Sequence, residues 1–119
     1  PTSTTYADVS YANVVITPSS ASSRILILAT GTSSFSALAG QNVTADTQLV
    51  RSPSVSLQVQ SVATSIASGG VGATGAVSYS YVDSPATTSP VTYKLQQRVS
   101  NASSTLTSTN IWLIALEIA

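Results

Sequence analysis

The chain has 119 residues, which suits one domain around one hydrophobic core. Only 7% of the residues are charged, 43% are hydrophobic, and the four basic side chains balance the four acidic ones. Soluble monomers normally carry about a quarter charged residues, so this composition indicates that other protein covers part of the surface. Further copies of the same chain are the most common cover. The sequence has no basic stripe that could neutralise phosphates, which argues against nucleic-acid binding.

The residue types on which many enzymes and metalloproteins depend are missing. The sequence contains no cysteine and no histidine, which excludes disulfides, thiolate nucleophiles, the usual zinc ligand sets and Ser-His-Asp triads. The carboxylates Asp8, Asp46 and Asp83 follow no calcium-loop spacing. We therefore expect no catalytic residues, no metal and no cofactor. We also expect no membrane span, because the longest apolar runs, 25–29 and 111–116, are far shorter than the roughly 20 residues of a transmembrane helix.

A hydrophobic period of two runs through most of the sequence. In one example, Val55, Leu57 and Val59 alternate with serine and glutamine. Such alternation is typical of a half-buried antiparallel strand with one face in water. The pattern and its β-branched content predict about eight strands. In chain order these are residues 11–17, 25–29, 46–51, 54–60, 77–81, 91–99, 104–108 and 111–116.

Two of the predicted strands differ from the others. Residues 25–29 and 111–116 are apolar on both faces. They are too short for helices, and serine and threonine clusters bound them. We therefore predict central strands that are buried on both sides.

Turn signals separate the strands. Residues 18–23 and 83–90 are rich in serine, threonine and proline, and we interpret the glycine-rich residues 68–75 as a loop. Residues 70–75 match GxGxxG, but the dinucleotide fingerprint needs a helix after it, and the alternation there predicts a strand. Short strands with turns roughly every 8–12 residues predict an antiparallel β-sandwich of the jelly-roll type, as a single domain over residues 1–119.

Glu117 is the carboxylate that lies within an apolar strand. The alternation places it on the face of Ile111 and Leu113. An isolated buried charge is strongly unfavourable, so we expect Glu117 to form a structural ion pair with Arg51 or Arg24, within the chain or between subunits. A catalytic role is disfavoured, because no second acid or base lies nearby in any motif.

A sugar-binding patch needs stacking aromatic rings beside a carboxylate, and the candidates are Tyr79, Tyr81, Asp83 and Trp112. Tyr79 and Tyr81 share one strand face with Val77, however, which is more typical of core packing with the hydroxyls at the edge. For the same reason we expect Trp112 to lie in the core or between subunits.

Three stretches carry a family resemblance: residues 79–85 (YSYVDSP), 91–96 (VTYKLQ) and 113–118 (LIALEI). They resemble the jelly-roll domains of tail-fibre, head-fibre and capsid-decoration proteins of tailed bacteriophages. Residues 14–18, 23–27 and 49–51 are similar to the same pattern, and the sequence departs from it at Val82, where the family often has leucine. The resemblance implies a homotrimer located on the surface of the virion.

We therefore expect a non-enzymatic structural protein of a virion exterior, whose partners are copies of itself and other virion proteins. The alternative is a receptor- or glycan-binding module at a fibre tip, in which loops at one end contact a host surface glycan. The candidate contact residues of that module are Gly69, Gly70, Gly72, Gly75, Pro85, Thr87 and Thr88. A third class, an adhesin or pilus subunit built by strand addition, would be marked by a secretion signal in the parent gene.

Overall fold

The computed structural model of the chain describes residues 4–37, 42–66, 71–100 and 104–118. These ranges contain strands and turns and no helix, and so no helix that could cross a membrane. Their seven strands are β1 (Ala7–Ile16), β2 (Arg24–Ala37), β3 (Asn42–Arg51), β4 (Val55–Ile66), β5 (Val71–Asp83), β6 (Val91–Val99) and β7 (Thr105–Ile118).

The strands form two antiparallel sheets that pack face to face, as in a β-sandwich. The four-stranded sheet has the order β1-β6-β3-β4, and the three-stranded sheet has the order β5-β2-β7. At the flanks, β1 lies against β7 and β4 lies against β5. The long strands make the domain elongated, with principal extents of 53 × 21 × 19 Å. The prediction of an all-β fold with antiparallel sheets is confirmed.

The predicted segments 104–108 and 111–116 belong to one strand, β7, so the described residues form seven strands rather than about eight. A β-bulge joins the two segments where the register with β2 shifts. Asn110 has a φ of 53° there, a left-handed conformation that asparagine adopts more readily than most residues. Across the ladder, Gly31 leaves room for Ile111, because a Cβ on Gly31 would lie 2.3 Å from Ile111 Cδ1.

The glycine-rich segment 68–75 is a strand over most of its length. β5 begins at Val71, and its backbone pairs with β2 along the whole strand. Hydrogen bonds of this ladder hold the segment extended even though its glycines add no side-chain packing. The loop prediction is therefore wrong from Val71 onward, whereas Gly69 and Gly70 lie outside the described residues.

Apolar side chains from both sheets fill the space between them in two clusters. The larger cluster includes Ile27, Leu49 and Tyr93, all of them fully buried. The smaller cluster consists of Phe35, Ala45, Val99 and Leu106. The alternation of the strands thus places one row of apolar side chains from each sheet in a shared core.

A layer of polar side chains crosses the sandwich between the two clusters. The Oγ atoms of Ser33 and Ser108 lie 2.8 Å apart, and the Ser108 hydroxyl donates to Gln97 Oε1 at 2.6 Å. In the same layer, Thr47 Oγ1 lies 2.5 Å from the hydroxyl oxygen of Tyr79. Each of these five groups has a hydrogen-bond partner, and pairing of this kind removes most of the free-energy penalty of burying polar atoms.

The two segments predicted to be buried on both faces are buried on one face only. In segment 25–29 the inward side chains are fully buried, but Leu28 points outward and is 36% exposed. In segment 111–116, Ile114 is 48% exposed, and β7 is an edge strand with β2 as its ladder partner. The prediction of a central strand is confirmed for segment 25–29, because β2 lies between β5 and β7, and is wrong for segment 111–116. The prediction of burial on both sides is wrong for both segments, because a two-layer fold covers each sheet on one side.

We predict that Gly31→Ala lowers the free energy of unfolding by about 1–3 kcal/mol, because the added methyl group overlaps Ile111 at the bulge. Ser34→Ala, on the exposed face of the same strand, is the control and should change stability by less than about 0.5 kcal/mol. Urea denaturation measures both variants against the wild-type chain. Equal stabilities for the two variants would contradict the close packing of β2 against the bulge.

Candidate assembly surface

The outer face of the three-stranded sheet is apolar over one half of its length. Alternation and register place six large apolar side chains there: Leu26 and Leu28 on β2, Val82 on β5, and Trp112, Ile114 and Leu116 on β7. Leu26 pairs with Val82 on one side and with Leu116 on the other. Leu28 pairs with Ile114. Trp112 pairs with Thr30 and adjoins the others through Ile114, two residues further along β7. We call these six residues the apolar face.

Much of the apolar face is open to solvent. Trp112 is 72% exposed, Leu116 is 50% exposed and Val82 is 46% exposed. Single exposed apolar side chains are normal on protein surfaces, and tryptophan is on average highly buried. A contiguous patch of large apolar side chains instead marks a surface that contacts protein or another apolar partner.

The other half of the same outer face carries hydroxyl groups. Thr32 on β2 pairs with Thr109 on β7, and their Oγ1 atoms lie 3.0 Å apart. Further along, Ser34 pairs with Thr107. Exposed hydroxyl groups keep their hydrogen bonds to water, so this half of the face is stable in contact with solvent.

The outer face of the four-stranded sheet is mostly polar, although Val15 and Val59 are exposed on it as single apolar side chains. Gln48 Nε2 donates to Gln96 Oε1 at 2.7 Å, and Gln96 Nε2 donates to Asp8 Oδ1 at 2.7 Å. Lys94 Nζ lies 3.1 Å from the Asp8 carboxylate. The hydrogen bond from Gln96, followed by that from Lys94, holds the pKa of Asp8 below its usual value. The two outer faces of the sandwich therefore differ in chemistry, because one is hydrogen-bonded and charged and the other is partly apolar.

Arg51, one of the two partners predicted for Glu117, binds Asp83 instead. Arg51 Nη1 lies 2.8 Å from Asp83 Oδ1 and 2.7 Å from Asp83 Oδ2. The hydroxyl of Tyr93 also donates to Asp83 Oδ2, at 2.8 Å, and burial, together with this carboxylate, raises the pKa of Tyr93. The predicted pair of Glu117 with Arg51 is wrong, because the buried Asp83 carboxylate at the end of β5 holds the guanidinium.

Glu117 is exposed at the end of β7, where hydroxyl and amide groups satisfy its carboxylate. Its Oε1 atom accepts hydrogen bonds from Ser19 N at 2.8 Å, Ser19 Oγ at 2.7 Å and Ser23 Oγ at 2.5 Å. These bonds, those from Ser19 first, lower the pKa of Glu117. The side chain thereby ties the turn between β1 and β2 to the last strand. Arg24 alternates onto the opposite face of the sheet, and its pairing with Glu117 between subunits stays a prediction.

The residues predicted to contact a receptor do not meet at one end of the molecule. Gly72 and Gly75 lie near the start of β5, whereas Pro85, Thr87 and Thr88 follow its last residue. Gly72 and Gly75 precede the last residue of β5, Asp83, by 11 and 8 residues, and at about 3.3 Å per residue the two groups are roughly 25–35 Å apart. The prediction that both segments form one contact site is therefore wrong, because a single long strand separates them.

The four candidates for a sugar-binding patch lie on different faces of the sheet. Tyr79 is a core residue with 2% exposure, as predicted, and burial raises the pKa of its hydroxyl to about 12. Tyr81 and Asp83 alternate onto the same inner face. Trp112 lies on the outer face, so the sheet separates it from the other three. Core placement of Trp112 is therefore wrong, and its placement between subunits stays a prediction.

The described residues offer no cluster of three or more acidic side chains that could hold a metal ion. The sequence predicts Trp112 in the core or between subunits, but it does not identify the apolar face as one surface formed by three strands. The signal of that surface was present in segments 25–29 and 111–116, whose apolar residues occupy both alternation positions. The pattern predicts strands that are covered on both sides, and the second cover can come from the same chain or from another molecule.

We predict that Asp83→Asn lowers the free energy of unfolding by about 3 kcal/mol, because it leaves the Arg51 charge without its buried partner. Asp8→Asn is the matched control. The Asp8 side chain is 53% exposed against 8% for Asp83, so its loss should change stability by less than about 1 kcal/mol. Guanidinium denaturation at pH 7 compares the two, and equal losses would contradict the structural role of the Arg51–Asp83 pair.

We predict that Glu117→Gln lowers the melting temperature at pH 7 and lowers it by less at pH 3. Because the folded-state pKa of Glu117 lies below the ordinary value of 4.5, its contribution is complete above that value and disappears as the pH falls through the folded pKa. Thermal unfolding of both proteins at the two pH values measures the difference. A melting difference that is the same at pH 3 and pH 7 would show that the ionised carboxylate is not responsible.

No protein-family model matches the sequence, and comparison with curated proteins gave no match. The proposed function therefore rests on the residues and geometry of this chain.

Proposed function

We propose that the chain is a non-enzymatic structural protein of a bacteriophage virion exterior, either a fibre module or a capsid-decoration protein. In this proposal it has a jelly-roll domain and assembles as a homotrimer. The observation that carries the proposal is the exposed apolar face on a chain with only 7% charged residues. Such a face is unfavourable in water and favourable between protein surfaces, so the chain is suited to permanent contact with other subunits.

The distribution of polar groups supports a structural role. Threonine and serine cover the second half of the three-stranded sheet, and Thr32 and Thr109 bond to each other there. Neutral hydroxyls lose less hydration free energy than charges when another protein approaches. The surface therefore tolerates close contact with neighbouring virion proteins without desolvating ionised side chains.

The three stretches that resemble phage virion proteins support the proposal through their positions. They lie in or directly after β5, within β6, and within β7. The first two meet where the Tyr93 hydroxyl donates to Asp83. The third contributes Leu113 to the core and Leu116 to the apolar face. The resembling residues thus stabilise one end of the sandwich and provide part of the surface proposed for assembly.

We predict that the purified chain has a mass of about three times 12.1 kDa in solution, and that this mass persists on dilution. Multi-angle light scattering behind size-exclusion chromatography, over a hundredfold range of concentration, measures it. A mass of one chain at every concentration would contradict self-assembly.

The location on a virion needs its own measurement. Antibodies raised against the purified chain should bind intact particles of the parent phage, as seen by electron microscopy with gold-labelled antibodies. Labelling restricted to particles that have been opened would contradict an exterior position.

A further inference from the structure

We propose that the apolar face is the surface through which copies of this chain bind one another, with Trp112 and its neighbours packed against the same face of other copies. The inference rests on the proposed self-assembly and names the part of the molecule that performs it. The polar outer face of the four-stranded sheet then remains on the outside of the assembly. The contiguity of the six residues, their lack of charge and the area that they expose support this assignment.

Contiguity separates the apolar face from the other exposed apolar side chains. Val15 is 59% exposed and Val59 is 56% exposed, so both are as open as any residue of the apolar face except Trp112. Each of them, however, has a polar neighbour in the ladder: Val15 pairs with Thr92, and Val59 pairs with Gln48. They are single exposed residues of the ordinary kind. The six residues of the apolar face instead form a continuous group on three strands; Trp112 pairs with Thr30 but adjoins the group through Ile114 on its own strand.

The charge pattern favours a second copy over a charged partner. None of the six residues of the apolar face is ionisable, and among the other outward positions of β2, β5 and β7 the one ionisable residue is Arg24, at the first position of β2. A contact between identical faces brings equal positions together, so any charge at its centre would meet a like charge and repel it. A face without charges avoids that repulsion.

The area of the face is sufficient for a stable contact. Five of the six residues are 36% to 72% exposed and Leu26 is half-buried, so the face exposes on the order of 500 Å² per copy, which is within the roughly 300–600 Å² of the largest patch on a typical monomer. When copies close their faces against one another, the total reaches the roughly 1,000 Å² expected of a biological interface. Trp112 is the natural anchor, because large aromatic side chains dominate the energetics of such contacts.

Trp112 also provides a measurement that needs no substitution. It is the single tryptophan of the chain, and it is 72% exposed in the isolated subunit. We expect tryptophan emission from the assembled protein to be shifted to shorter wavelength and protected from iodide quenching. On dilution below the dissociation constant, the emission should shift to longer wavelength and become quenchable in step with the fall in mass.

Variants of the full chain locate the contact. Ile114→Ser and Leu116→Ser change outward-facing residues that are 48% and 50% exposed, and Val15→Ser and Val59→Ser are the matched controls at 59% and 56%. We expect each face variant to raise the dissociation constant of the assembly by about tenfold or more. We expect each control to leave it within about threefold. Far-ultraviolet circular dichroism of every variant confirms that it is folded.

The outcomes separate this inference from the proposed function. An assembly that shields Trp112 and is weakened by the face variants alone supports both. An assembly in which Trp112 stays quenchable, or which the Val15 and Val59 variants weaken as much, overturns the apolar face as the contact and leaves self-assembly standing. A chain that is monomeric at every concentration, with Trp112 exposed, overturns both.

Discussion

The antiparallel ladder between β2 and β7 fixes where both the core and the apolar face lie. Along it, successive side chains point to opposite sides, so Ile27 enters the core while Leu26 and Leu28 face outward. The ladder continues past the bulge at Asn110 because Gly31 has no side chain to meet Ile111. The bulge absorbs one residue and keeps the later part of β7 in the alternation that its apolar residues require. A slip by one residue would exchange the buried and exposed rows.

The two outer faces of the sandwich are suited to different environments. On the four-stranded sheet, glutamine and charged side chains bond across the strands, and this network stays favourable in water. On the three-stranded sheet, the apolar face has no such network, and its stability in water depends on what covers it. The inner faces are alike in both sheets. The two sheets therefore differ in their outward-facing residues alone, and the proposed assembly role follows from those residues.

The charged side chains bind groups that are close in space but distant in the sequence, so the sequence alone does not identify these partners. Arg51 ends β3 and Asp83 ends β5, on different sheets, and the packing of the sheets brings them into contact. The apolar neighbours of Glu117 in the sequence predict a buried carboxylate. Glu117 instead lies at the end of β7, where its carboxylate accepts a hydrogen bond from Ser19 N. At this strand end the serine-rich turn between β1 and β2, rather than the core, surrounds the carboxylate, so burial inferred from local hydrophobicity fails there.

The sequence by itself determined the fold class, the approximate positions of the strands, and the identity of most core residues, because period-two alternation is a local property of the chain. It also determined that charge is scarce. Only the tertiary structure decided the pairing of Arg51 with Asp83, the extension of β5 into the glycine-rich segment, and the exposure of Trp112. Each of these depends on which strand lies beside or above another. Apolar residues on both sides of a strand require two covering layers, but the pattern is the same whether the second layer comes from this chain or from another molecule.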